Sequence, residues 1–396
     1  MSTRCHLTRR EFTRNALTTS VCLVSALKGS SRLEASSEQR GKATADGSPT
    51  DADTLDAALE VLARSGPEHG GGLSNHGPMA CEALTALARP EAVIPWLDQY
   101  RLRLQPPLRE GRRIDRKEWR EGLGKYERAG DWIAFFDREL KAAPWREVLS
   151  QWVPLLAPGL VGAATHGLIR TGHAARSLGR RENALRRHEL AQGLAYWAAR
   201  YYVLPGSSAA GGTTFEVRDA LKRVHLLPGN SSAGGSIVRA LRRLDDDGGD
   251  FSGVLHLLDT SGDPSRILSE LTATFARVYL ANSEPPAGRV IAFIHSVTGP
   301  AALRLLLPSL TPEASRSALK YGWQAAAAMY AALGNQPPGE RIPESQIELH
   351  ELIDRAVATR DEHAIKFTEA CVRENAIRPD PAYLAAARNA VGHLSA

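Results

Sequence analysis

Residues 361–371 read DEHAIKFTEAC, a histidine and a lysine three positions apart inside an apolar run of helical period. On a helix that spacing sets His363 and Lys366 on one face, with Cβ atoms roughly 5–6 Å apart. Ala364, Ile365, Phe367 and Ala370 stand beside them. A lysine in such a setting has two readings. Either its stem runs along an exposed stripe and the ammonium reaches water, or something at its tip requires it, since lysine is seldom buried without a partner.

Outward from this stretch the helical period continues almost everywhere from Thr54 onward. Leu55, Leu59 and Leu62 form a first apolar face, and MACEALTALA follows Pro78, a residue suited to a helix start, until Pro90 stops it. DWIAFFDREL, PWREVLSQWVPLL, ENALRRHELAQGLAYWAARYY, PEASRSALKYGWQAAAAMYAALG and PAYLAAARNAVGHL continue the pattern. Alternation of period two occurs only briefly near 289–295. The fold class is therefore all-α: a single large helical domain, residues 53–396, of about a dozen helices whose mutual packing supplies the core. Over 205–263 the composition shifts to Gly, Ser and Asp, which reads as an irregular insertion. Its near-copies LPGSSAAGG (204–212) and LPGNSSAGG (227–235) lack GxxxxGK[ST] and GxGxxG, so they read as connectors and not as phosphate cradles.

The first 35 residues have the pattern of an export signal. Thr8-Arg9-Arg10-Glu11-Phe12 precedes a modestly apolar run, 16–27, without a carboxylate, as in twin-arginine signals. That run is too short to span a bilayer. The expectation is a protein exported already folded, periplasmic or extracellular, with 36–52 as a linker and no stable membrane span. Cys5, Cys22, Cys81 and Cys371 form no CxxC pair, which argues against a zinc ribbon, a redox dithiol or a disulfide framework. The formal net charge is +5. The arginines are spread over many predicted helices with no aromatic-interleaved basic patch, which argues against nucleic acid as a partner.

Four histidines stand apart from the rest. His76 lies in SNHGPM at a helix start, His166 in ATHGLIR, His295 at the end of AFIHSVTGP, and His363 in the opening stretch; each has an apolar or glycine-rich flank that suits an interior position. One buried histidine is ordinarily a packed core residue, but four together with a lysine suggest a metal site, since imidazole suits iron, copper, zinc or nickel. His173 lies two turns beyond His166, about 10 Å along the axis, too far to share an ion easily, and reads as a support or a structural residue. Trp132, Phe135, Phe136, Trp197 and Trp323 are candidates either to wall an aromatic-substrate pocket or simply to pack the core.

SNHGPMACEALTALARP, ATHGLIRTGHAARSL, IHSVTGPAALRLLLP and DEHAIKFTEAC together resemble the questin oxidase-like family over most of 55–392, least over 205–263. The resemblance implies a mostly helical fold and an oxygen-dependent, Baeyer–Villiger-like cleavage of an aromatic polyketide or anthraquinone-like ring. It also implies a non-haem Fe(II) held by His76, His166, His295 and His363 with Lys366 as a carboxylated lysine. Lys366 would first lose its proton, which burial favours, and addition of carbon dioxide would then make it an anionic oxygen ligand. Arg170 stands where fungal members commonly have a further histidine, and His173 where they often have tyrosine, so both are candidates to shape the surroundings of the site. The family's association with nicotinamide would require an external NADPH-linked reductant, since the sequence carries no dinucleotide fingerprint. The partners expected are a small hydrophobic aromatic substrate and dioxygen; the sequence does not set an oligomeric state. Two rivals share the same residues: a zinc hydrolase whose metal-bound water is the nucleophile, and a non-catalytic helical binding module whose histidines only pack.

Overall fold

Several helix starts are written as a capping side chain followed by proline. The computed structural model describes residues 50–206, 212–228, 236–246, 251–284, 287–340, 342 and 347–395, and it forms these starts. Asp263, Thr311 and Asp380 each accept a hydrogen bond from a first-turn amide, with Pro264, Pro312 and Pro381 opening the helix behind them. Such a cap stabilises a helix by about 1 kcal/mol, and proline there forfeits no hydrogen bond.

The helices are α1 (Asp51–Leu62), α2 (Gly77–Ala86), α3 (Val93–Tyr100), α4 (Ala129–Ala142), α5 (Trp145–Leu156), α6 (His166–Arg180), α7 (Ala184–Ala199) and α8 (Val217–Leu221). They continue with α9 (Ile237–Asp246), α10 (Pro264–Asn282), α11 (Ala287–Leu306), α12 (Pro312–Leu333), α13 (Leu349–Ala358), α14 (Glu362–Ile377) and α15 (Pro381–Leu394). The only sheet among the described residues is an antiparallel pair, β1 (Glu68–His69) with β2 (Leu73–Ser74). The fold is all-α, as the periodicity indicates.

The centre is α11, which packs against α6, α10, α12 and α14. The briefly alternating residues 289–295 lie inside it. Residues 292–300 are buried on every side, so two-residue alternation carried no strand information there: a helix surrounded by neighbours is apolar all round. Within 288–309 it is long and apolar enough by composition to cross a bilayer, but 78% of that window is buried, as befits a core helix.

Two parts of the chain add detail to the reading of the sequence. Thr50 caps α1 in a reciprocal pair with Asp53, so Asp51 and Ala52 are helical and not linker. Within 205–263 the described residues include α8, α9 and a 3-10 turn, Phe251–His256, whose Leu241, Leu244, Phe251 and Val254 enter the main core. The glycine-rich loops fall largely outside the described residues, as do the export signal and most of the linker. Trp132, Phe135 and Phe136 pack on one another, and the two phenylalanines on Trp152, with ring centroids 5.2–5.6 Å apart. Trp323 donates to the Val254 carbonyl at 2.7 Å. These four aromatics serve the core.

Candidate metal centre

Four helices each bring one histidine to the same point. His76 immediately precedes α2, His166 is the first residue of α6, His363 the second of α14, and His295 lies midway along α11. Three of the four therefore sit at the positive end of a helix dipole.

The approach to His166 is unusual backbone. Ala163, Ala164 and Thr165 have φ of 47°, 54° and 67°, left-handed values that cost a residue bearing Cβ about 1–2 kcal/mol each. This turn folds the chain back so that the Ala163 carbonyl accepts from His166 Nδ1. Two glycines make room for it. A Cβ on Gly299 of α11 would lie 2.9 Å from Thr165 Oγ1, and one on Gly167 would lie 2.4 Å from the Trp197 backbone. Trp197 thus backs the site through the helix that carries His166.

His76 Nε2 lies 2.6 Å from His166 Nε2, and His295 Nε2 lies 3.1 Å from the same atom. The His363 ring centroid stands 4.8 Å from that of His76 and 5.5 Å from that of His295. One ligand atom from each of the four lies within 4.8 Å of the others. The outward nitrogens decide what this means. His166 Nδ1 and His295 Nδ1 face the carbonyls of Ala163 and Ile291, the latter at 2.7 Å; carbonyls only accept, so both Nδ1 atoms carry hydrogen. The two Nε2 atoms then meet lone pair to lone pair, and no hydrogen bond joins them. A cation between them resolves the conflict: two imidazoles about 2.1 Å from one ion and at right angles have nitrogens about 3.0 Å apart. Burial, reinforced by the charge of Lys366, holds His76 and His166 well below the ordinary imidazole range, and burial with the neighbouring histidines does the same for His295. The rings are thereby kept in the neutral form that binds metals.

Lys366 is 3% exposed and does not reach along a wet stripe. Burial pulls its pKa down from 10.5 to about 7 against the opposing charges of Glu362 and Asp361. Asp361 caps α14 by accepting from the amides of His363 and Ala364 at 2.7 and 3.2 Å.

His173 and Arg170 lie apart from the quartet. His173 Nδ1 bonds Glu82 at 2.7 Å, inside a network in which Arg176 bridges Glu82 and Glu369. Arg170 forms a two-pronged pair with Glu189 at 2.6 and 2.7 Å. Glu362, Tyr100 and Arg103, none of them singled out in the sequence, pack around the site. Only Glu362 had a local signal, its place beside His363; the others depend on contacts distant in sequence.

An all-α protein with four imidazoles converging in its interior belongs to a metal-capable class. A family model described as questin oxidase-like matches residues 73–371, more than half of the chain and all five of the residues singled out. The chain belongs to the questin oxidase-like family, which implies an oxidoreductase. No curated protein matches the sequence.

Proposed function

We infer that the protein is an iron-dependent oxygenase that inserts oxygen beside a ring carbonyl of a hydrophobic aromatic, polyketide-like compound and opens the ring. The observation that carries this reading is the convergence of four ligand nitrogens within 4.8 Å in a chain of an oxidase-like family. His76, His166, His295 and His363 would hold the ion, and Lys366 would complete the set. Bound iron would supply the redox chemistry that activates dioxygen. Insertion of one oxygen atom with release of the other as water needs two electrons and two protons, supplied here by an external NADPH-linked reductant.

The surrounding residues prepare the site in three ways. The Ala163 and Ile291 carbonyls fix the tautomers of His166 and His295, so that both Nε2 lone pairs point inward. The depressed pKa of Lys366 leaves a large fraction of neutral amine near pH 7. That amine adds to carbon dioxide, forming an N–C bond and releasing a proton, and gives a carbamate. Three helix N-termini facing the centre favour a resident anion, which supports the carbamate in place of an ammonium. Export by the twin-arginine pathway suits a metalloenzyme loaded before translocation.

Protein purified without oxygen and loaded with Fe(II) should bind about one iron per chain and consume dioxygen with an anthraquinone-type substrate and a reductant. Removal of carbon dioxide should lower both the activity and the metal retention, and Lys366→Met should abolish that dependence. Wild-type protein that stays metal-free after iron loading would sink the proposal. Zinc retention with hydrolysis and no oxygen uptake would replace it with the hydrolase.

A further inference from the structure

The outward nitrogens divide the four histidines into two pairs. His166 and His295 are locked by main-chain carbonyls. His76 Nδ1 and His363 Nδ1 are buried and make no hydrogen bond; each faces a carboxylate, Glu362 at 3.6 Å and Asp361 at 3.4 Å. The two carboxylates are not equivalent. Asp361 already accepts from two backbone amides as the cap of α14. Glu362 has no such duty. Its Oε2 takes a guanidinium hydrogen from Arg103 at 3.3 Å, and its Oε1 points toward His76.

Arg103 is itself held twice. Its guanidinium lies 4.3 Å from the ring centroid of Tyr100, and the Tyr100 hydroxyl accepts from the His76 amide at 2.6 Å. The end of α3 and the turn that follows it therefore grip His76 by two routes, through its backbone by Tyr100 and toward its ring by Arg103 and Glu362. This matters because His76 precedes its helix and makes no capping bond of its own.

We propose that Glu362 is the positioning residue of His76. It closes by about half an ångström to accept the Nδ1–H, bringing the pair into the normal hydrogen-bond range, and so aims the Nε2 lone pair at the ion while Arg103 keeps the carboxylate in place. A ligating imidazole that donates to a carboxylate is oriented and made more basic by it. The Arg103 side chain is 46% exposed and that of Glu362 11%, so this contact is also the link between the buried site and the surface. The inference rests on the metal-centre reading above.

The test measures affinity for Co(II) by chelator competition, together with the visible Co(II) spectrum and the melting temperature of the metal-free protein. Glu362→Gln keeps the shape and an acceptor oxygen but loses the charge. It should weaken binding about 10–100-fold, alter the spectrum, and leave the metal-free melting temperature unchanged, a combination that a merely structural role would not give. Arg103→Met, at a half-exposed side chain, should weaken binding by a smaller factor in the same direction. Affinity and spectrum within about twofold of wild type in Glu362→Gln overturn the role of Glu362 while leaving the metal centre intact. If that variant does not fold, Arg103→Met decides by the same threshold. Wild-type protein that takes up neither Co(II) nor Fe(II) overturns the metal centre and this inference together.

Discussion

Two buried polar clusters share helices α2, α6 and α14, and they are built on opposite principles. In the first, Glu82, His173, Arg176, Glu369, Arg373 and Glu374 pair every cation with a carboxylate. Arg176 Nε meets Glu82 at 2.8 Å, Arg373 Nε meets Glu369 at 3.1 Å, and Arg304 of α11 meets Glu374 at 2.8 Å. Burial alone would raise the Glu82 pKa; Arg176 and the His173 hydrogen bond outweigh it and bring it down to about 2. In the second, four imidazoles and a lysine gather with no carboxylate among the converging nitrogens, and the Nε2 lone pairs of His166 and His295 confront one another. The first cluster pairs its charges internally and ties helices together. The second has donor atoms left over, which is the physical mark of a binding site.

The comparison can be broken by experiment. The largest effect should come from His166→Ala, which removes the nitrogen that both His76 and His295 approach. Metal content should fall from about one per chain toward zero, and oxygen uptake by at least about 100-fold, read by elemental analysis and an oxygen electrode. The metal-free protein should stay folded. Arg176→Met should do the reverse, leaving Glu82 and Glu369 without their shared partner. Breaking a buried pair in this way costs about 3–5 kcal/mol, measured by urea unfolding of the metal-free protein.

Acid should separate the clusters next. His76, His166 and His295 are held below the ordinary 6.5, so below that pH the unfolded chain binds protons that the folded one refuses. Stability of the metal-free protein should therefore be present above pH 6.5 and fall as pH drops, by up to about 1.4 kcal/mol per pH unit for each histidine. Lys366 acts with the same sign at higher pH, because its folded pKa of about 7 lies under the ordinary 10.5 and stability rises between the two. Replacing the histidines should flatten the acid slope in urea titrations from pH 5 to 8. The smallest effect should come from Ala164→Gly. Its φ of 54° suits glycine, so relief of strain should raise stability by about 0.5–1 kcal/mol, seen as a higher melting temperature.

Much of the site was legible because its residues announce themselves locally. Each of the four histidines has small or apolar neighbours, and Lys366 interrupts an apolar helical run. The role of the aromatics was not legible, since a tryptophan that lines a pocket and one that packs a core have the same local pattern; the structure puts Trp132, Phe135 and Phe136 in the core. The left-handed turn before His166 was hidden too, because Ala163 and Ala164 are poor candidates for positive φ by composition.

The sequence by itself determined the helical class, through apolar spacing, and it marked the residues worth bringing together. Both are properties of short stretches, where side chains a few positions apart share a helix face. Only the tertiary structure decided that His76 meets His166 across 90 positions and His295 across 129 from it. It likewise decided which ring nitrogens face inward, that Arg103 reaches Glu362, and that Arg176 joins two carboxylates on different helices. Those relations depend on how helices pack and which small residues let them approach, and no local periodicity encodes them.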